Sequence, residues 1–429
     1  MSSEARGGWL LKMNAFGQGA LAFFLLISSL GAAPRNAWVA TWAASPEPVD
    51  VSPDEPLLNI EDQTVRERVR VSVGGVEMRL RLSNEYGSTP LLVGSVTVAI
   101  PNQPGSVRTG SIQTVLFAGR KSVTIPPGAP VLSDALAFPV AAGADLSVSL
   151  YFPKRVATPT LHAYAFKRAV VSPHGDHTGA EKIEGGAVTE SSISLSAVLV
   201  PAQPSQRLVV AFGDSITDGD GSTLDADHNW PSDFARRLAK TSETSSLAVV
   251  NAGIVGNRLL SDGFGVSASF GVSALKRFDR DALAVPGVTH IVLLEGVNDI
   301  GFPGAQLQGR PLAAVADAPT AGDVINAYLQ LIARAHAHGL KLIGGTITPF
   351  EGVDLPGYYT PSKEETRQAV NKWIRSSGSF DGVIDFDAIL RDPAHPTRLF
   401  PPFSSPDHLH PNDAGYRAIA DAVDLALLN

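Results

Sequence analysis

Four segments of this 429-residue chain carry side chains that could do chemistry together. In LVVAFGDSITDG, Ser215 follows the apolar run RLVVAFG, and a turn leaving a buried strand can hold a hydroxyl out over the sheet edge. Taken alone, a serine in such a turn is usually a helix cap. In NAGIVGN, residues 251–257, Gly256 would let a backbone N–H approach an oxyanion closely, although a simple tight turn uses the same glycine. In EGVND, residues 295–299, Asn298 offers a neutral N–H donor that titration cannot remove, while Asp299 suits the local turn better than the chemistry. In SSPDHLHPNDAGY, Asp407 and His410 lie three apart, just before the final helix. The carboxylate can accept from one imidazole nitrogen while the other faces Ser215 as general base. His408, two residues from His410, is expected to point elsewhere. Nucleophile, base, orienting acid and oxyanion donors are the parts of acyl transfer.

Those segments need a scaffold, and the hydrophobic pattern supplies one in two halves. From Trp38 to about Val200 the period is two. Val69, Val71 and Val73 alternate with polar residues before Gly74-Gly75, and Met78, Leu80 and Leu82 do so after it, which predicts a β-hairpin. The runs VGSVTVAI, QTVLFA, KSVTIPPG, DLSVSLYF and SISLSAVLV follow, separated by turn residues as in an all-β sandwich, with no convincing helix. After Pro201-Ala-Gln-Pro204 the strands RLVVAFG, LAVVNAG, THIVLLEG, KLIGGTI and GVIDF alternate with helices. One helix is expected around 272–283. Another runs from Asp323 to Gly339, and the last opens at Pro411-Asn412-Asp413 and buries Tyr416, Ile419, Val423 and Leu427. That alternation implies a parallel sheet covered on both faces, with ligands beyond the strand C-termini. The first three chemical segments sit at those ends.

Composition bounds the rest. Net charge is −8 with no basic run, which argues against a nucleic-acid partner. Without cysteine there is no disulfide, thiolate metal site or cysteine nucleophile. Arg6 and Lys12 precede the apolar run ALAFFLLISSL and the small residues Gly31, Ala32 and Ala33. This reads as a signal peptide over residues 1–33 and a secreted or periplasmic protein. The alternative is an N-terminal membrane anchor, for which the run is shorter than the ~20 apolar residues that a span needs. No stable anchor is expected.

Taken together and in this order, the four segments resemble the SGNH superfamily, the GDSL esterases and lipases, over about residues 206–429. The residues that name that superfamily match Ser215, Gly256, Asn298 and His410, with Asp407 completing the pair. The resemblance implies a flavodoxin-like three-layer α/β/α domain over 206–429, here preceded by a β-sandwich (jelly-roll-like) domain over 37–203. It also implies hydrolysis of carboxylic esters through an acyl-serine, with the oxyanion held by Ser215, Gly256 and Asn298 and with no cofactor or metal. Short acyl chains are favoured, acetyl groups on carbohydrate among them, because no long apolar lid helix is visible. Lysophospholipids and aryl esters fit the same machinery. A metal-dependent phosphoesterase built on Asp214, Asp218, Asp220 and DHLH is a rival reading, as is a glycan-binding protein with a silent hydrolase domain. In the β half, Trp38, Trp42 and Arg66, Arg68 and Arg70 suggest either a sugar or anion site or plain core aromatics and a solvated strand face. His162, His174 and His177 carry no clear assignment.

Overall fold

The computed structural model describes residues 37–50, 59–241, 243–263 and 265–429, so the expected leader at residues 1–33 lies outside the described residues. From residue 37 onward they belong to one compact unit. No helix among them is long and apolar enough to cross a membrane.

The N-terminal half is antiparallel sheet and, among its described residues, contains no helix. A four-stranded sheet runs in the order Trp38–Ala43, Leu195–Pro201, Arg79–Ser83, Pro130–Leu132. A six-stranded sheet runs in the order Ala187–Thr189, Ala169–His174, Gln63–Arg70, Asp145–Phe152, Ser95–Ala99, Gln113–Thr114. Val65, Leu146 and Leu150 of the larger sheet share one buried cluster with Leu80, Leu82 and Val198 of the smaller. This is the burial that period-two alternation anticipates.

The expected hairpin about Gly74-Gly75 does not form. Gln63–Arg70 pairs with Asp145–Phe152 and Ala169–His174, whereas Arg79–Ser83 pairs with Leu195–Pro201 and Pro130–Leu132 in the other sheet. The two glycines carry the chain between sheets, and Gly74 lies so close to Val140 that a Cβ would stand 2.5 Å from its carbonyl oxygen. Both runs face the same core from opposite sides, so each alternates, yet alternation does not identify a strand's partner.

The C-terminal half holds five parallel strands in the order Ala248–Gly253, Leu208–Gly213, Val288–Leu294, Lys341–Gly345, Gly382–Ile384. Leu208–Gly213 is buried throughout, which is why it reads as a continuous apolar run. Helices Trp230–Leu238 and Asp413–Ala422 pack together, as do Ala321–Ala337 and Pro361–Ser376. Thr320 and Asp323 form a reciprocal capping box on Ala321–Ala337. The helix expected around 272–283 is shorter, Ala274–Phe278, and opens into a wider turn at Asp279–Leu283. The last helix ends at Ala422, so Leu427 lies in the separate turn Leu425–Leu428 rather than on its buried face. The two halves share part of one core: Val39 and Ala40 belong to the buried cluster of the parallel half. Ala40 N donates to Pro286 O at 2.9 Å.

Leu208–Gly213 has the second strand in sequence on one side and the third on the other. This is the switch point at which open α/β sheets bind ligands. In the ladder Gly213 stands opposite both Gly253 and Leu294, so three turns leave the sheet side by side at one level.

Candidate active site

The first turn places Ser215 at the start of the one-turn helix Ser215–Asp218, capped by Asp214, whose side chain accepts from Ile216 N at 3.0 Å. The cap is therefore Asp214, and the Ser215 hydroxyl is left for other work. Gly213 permits this tight exit: a Cβ there would meet Thr217 Oγ1 at 2.2 Å and Leu294 O at 2.4 Å. Asn251 steadies the helix from the next strand, its Nδ2 donating to Thr217 O at 2.9 Å and Asp218 O at 3.0 Å.

The second turn holds Gly256 at φ +72°, with Phe270 so near that a Cβ would stand 2.4 Å from its ring. Both observations demand glycine. Asn257 beside it is fully buried, donating to Phe270 O at 2.6 Å and Val272 O at 3.0 Å. The third turn carries Asn298, whose Nδ2 donates to Asn257 O at 2.9 Å while Tyr358 donates its hydroxyl to Asn298 Oδ1 at 2.9 Å. The amide is thereby fixed in orientation, and one of its two N–H groups remains for a ligand oxygen. Asp299 accepts from Leu259 N at 2.7 Å and Leu260 N at 2.9 Å, a turn-fixing role.

The fourth segment closes over these ends. Ser215 Oγ lies 2.8 Å from His410 Nε2, and His410 Nδ1 lies 2.6 Å from Asp407 Oδ2. Asp407 Oδ1 accepts from Ser405 Oγ at 2.6 Å, Leu409 N at 2.9 Å and His410 N at 3.0 Å. Burial would raise the Asp407 pKa, but the His410 imidazole and these donors hold it well below the usual carboxylate range. Burial alone would lower the His410 pKa, yet Asp407, Asp220 and Asp214 outweigh it and raise it above the ordinary imidazole value. His408 is exposed, at φ +59°, and makes no contact with Ser215 among the hydrogen bonds of the site.

All five sequence-predicted residues, Ser215, Gly256, Asn298, Asp407 and His410, thus fall on adjoining turns at one sheet edge. The aspartates of the phosphoesterase reading diverge. Asp214 caps its own turn, Asp218 pairs with His162, and Asp220 stands 3.7 Å from His410 Nε2.

Several supporting residues escaped the sequence reading. Arg277 donates to Gly213 O at 2.7 Å, Ala252 O at 2.8 Å and Asn257 Oδ1 at 2.9 Å, binding the first two of these turns together. It sits in an ordinary helical stretch with nothing to mark it. Asn251 and Asn257 lay inside NAGIVGN, and Tyr358 lay in the loop EGVDLPGYYTPS, so the signal there was position within a flagged motif. His162 reaches from the antiparallel half, its Nε2 3.0 Å from Asp218 Oδ1 and its Nδ1 2.7 Å from Glu47 Oε1. Burial opposes its charge, but the two carboxylates prevail and hold its pKa well above the ordinary value. Glu47, His162 and Asp218 lie close enough together to ligate a metal ion. Both ring nitrogens are nevertheless taken by carboxylates, which makes an ion-paired imidazolium the better description.

A family model, the GDSL-like Lipase/Acylhydrolase family, matches residues 211–418. No curated protein matches the chain. Among solved structures, a GDSL-like lipase from Bacteroides thetaiotaomicron VPI-5482 is 16% identical, with 53% of this chain and 90% of that one covered and a TM-score of 0.36. A carbohydrate acetylesterase from Sinorhizobium meliloti is 15% identical, covering 52% and 100%, with a TM-score of 0.38. The native M. smegmatis aryl esterase is 12% identical, covering 50% and 95%, with a TM-score of 0.38.

Proposed function

Since residues 211–418 are a GDSL-like lipase/acylhydrolase (SGNH) domain and the protein is a carboxylic ester hydrolase of that kind, we propose that it is an exported serine esterase acting on short acyl esters, acetyl groups on carbohydrate among them, through an acyl-serine at Ser215. The observation that carries this reading is the chain Ser215–His410–Asp407, at 2.8 and 2.6 Å. His410 takes the Ser215 proton as the hydroxyl attacks the ester carbonyl. The oxyanion is held by the N–H groups of Ser215 and Gly256 and by the Asn298 amide. The imidazolium then protonates the leaving alcohol, and water, deprotonated by the same base, releases the acid.

A short acyl group is supported by the aromatic packing beside the oxyanion donors, where Phe302, Phe350 and Tyr358 are buried. Phe270 packs on Phe302 at 5.7 Å, Phe302 on Tyr358 at 6.0 Å and Phe350 on Tyr358 at 5.6 Å. Export rests on residues 1–33 alone, and N-terminal sequencing of protein recovered outside the cytoplasm tests it. Turnover of p-nitrophenyl esters of increasing chain length, run beside acetate release from acetylated xylan, tests the substrate class. A rate that climbed with chain length would refute it.

Two predictions follow from the geometry. Asn298→Ala is expected to lower kcat by about 10²–10³, the usual loss for one oxyanion donor, with a smaller change in KM. Steady-state kinetics on p-nitrophenyl acetate read this, with thermal melting to confirm that the fold survives the loss of the Asn257 and Tyr358 bonds. The second concerns pH. Only neutral His410 can accept the proton, so kcat/KM falls as pH drops through its pKa, and the raised value places that acid limb above the ordinary imidazole range. Asp220 contributes to the shift by charge alone from 3.7 Å. Asp220→Asn is expected to move the limb to lower pH while plateau turnover stays within a few-fold of wild type. An unmoved limb refutes that role.

A further inference from the structure

A cavity of about 260 Å³ lies between the antiparallel and parallel halves, lined by Trp42, Val69 and Arg68 on one side and by Ala235, Val249 and Asp218 on the other. Ser215, Gly256, Asn298 and His410 are not among its walls, so it is separate from the proposed active site. Its chemistry is specific. Asp218 is 5% exposed, and while its Oδ1 meets His162, its Oδ2 has no partner. Arg68 Nε likewise has no partner, although the Arg68 head group reaches Asp145. Arg70 is paired with Asp145, Lys167 with Asp227, Arg168 with Asp225 and Arg236 with Asp233, whereas the Glu67 carboxylate accepts from Ser192 Oγ and Ile193 N.

Two unmatched acceptors, Asp218 Oδ2 and Asp227 Oδ2, one unmatched donor, Arg68 Nε, and an indole face this cavity. An alkyl chain would leave these polar atoms buried and unpaired, which is unfavourable. A cation would meet the Arg68, Arg70 and Lys167 side chains, and an anion the Glu67, Asp218 and Asp227 carboxylates. A neutral polyhydroxylated ring satisfies these features together. Hydroxyls donate to Asp218 Oδ2 and Asp227 Oδ2, another accepts from Arg68 Nε, and a C–H face lies on Trp42. We propose that this cavity is a second binding site, for a single neutral sugar ring, set between the two halves behind the nucleophile helix. Asp218 ends the four-residue helix that Ser215 begins, so an occupant touches the element that carries the nucleophile.

The site does not depend on which ester Ser215 cleaves, and the test separates the two. Full-length wild type and Ser215→Ala are titrated calorimetrically with xylose, glucose and hexanoate. At least one sugar is expected to bind both proteins equally, at one site with millimolar affinity. Trp42→Ala and Arg68→Met are each expected to weaken that binding about tenfold or more, the scale of one good polar or stacking contact. Both variants should still hydrolyse p-nitrophenyl acetate. Arg68→Met keeps the aliphatic stem and leaves Arg70 on Asp145, so it reports even if Trp42→Ala fails to fold. Absence of binding by either sugar, binding that Arg68→Met leaves unchanged, or binding of hexanoate in place of sugar would each overturn the proposal.

Discussion

Ser215→Ala is expected to lower kcat on short acyl esters by about 10⁴- to 10⁶-fold, because nucleophile, base and orienting acid act as a unit and loss of the nucleophile disables all three. The residual rate is what positioning and the oxyanion donors give an unaided water. Stability should barely change. Ser215 makes one side-chain hydrogen bond, to His410, while the cap of its helix comes from Asp214 and the clamp on that helix from Asn251. A fluorophosphonate probe supplies a second measurement independent of turnover. Wild type should acquire one covalent label on the peptide containing Ser215, and the alanine variant none. A variant that hydrolysed p-nitrophenyl acetate near the wild-type rate, or took the label elsewhere, would remove Ser215 from the mechanism.

That expectation was legible in the sequence because parallel strands are buried on both faces and announce themselves as apolar runs. The chemistry in such folds gathers just past their C-terminal ends, so RLVVAFG, LAVVNAG and THIVLLEG pointed directly at the turns bearing Ser215, Gly256 and Asn298. The antiparallel half was legible only in part. Val69 and Leu80 each announced a strand, but pairing is a long-range property, and the two strands joined different sheets. Contacts between the halves were not legible. His162 and Asp218 meet across 56 residues, and neither HAYAF nor SITD carries a local pattern that would require it. The same holds for Trp42 and Arg68, whose types left a sugar or anion site open beside plain core packing and a solvated strand face, and whose shared cavity arises only when the halves pack.

Arg277→Met should destabilise the protein by about 3–5 kcal/mol, the usual result of removing one partner from a buried charged network. Arg277 is 1% exposed, and its guanidinium lies 4.0 Å over the Phe212 ring. Besides its three bonds to the strand-end turns, it meets Glu295 Oε1 at 3.2 Å and Asp281 Oδ2 at 3.4 Å. Asp281 keeps Arg280 at 2.6 Å, so the carboxylate left without a cation is Glu295. Burial already raises the Glu295 pKa well above its ordinary value, with Asp214 adding to the effect and Arg277 opposing it. Without Arg277 it rises further. A carboxyl whose folded pKa lies above its unfolded one binds the extra proton in the native state, so its contribution is lost as pH rises from the unfolded toward the folded value. The destabilisation should therefore be larger near about pH 8 than near about pH 5, read as the shift in denaturant midpoint at constant slope. Arg277→Lys restores the charge but not the planar fork that reaches Gly213 O, Ala252 O and Asn257 Oδ1 at once, and should recover only part of the loss. The decisive readout is kcat per folded molecule. Gly213 precedes the nucleophile turn, and Asn257 supplies the carbonyl that orients Asn298, so loosening both displaces the hydroxyl and an oxyanion donor together. If Arg277 served stability alone, the folded fraction would turn over at the wild-type rate. If it positions these turns, kcat falls in the folded fraction as well, and lysine restores less of kcat than of stability.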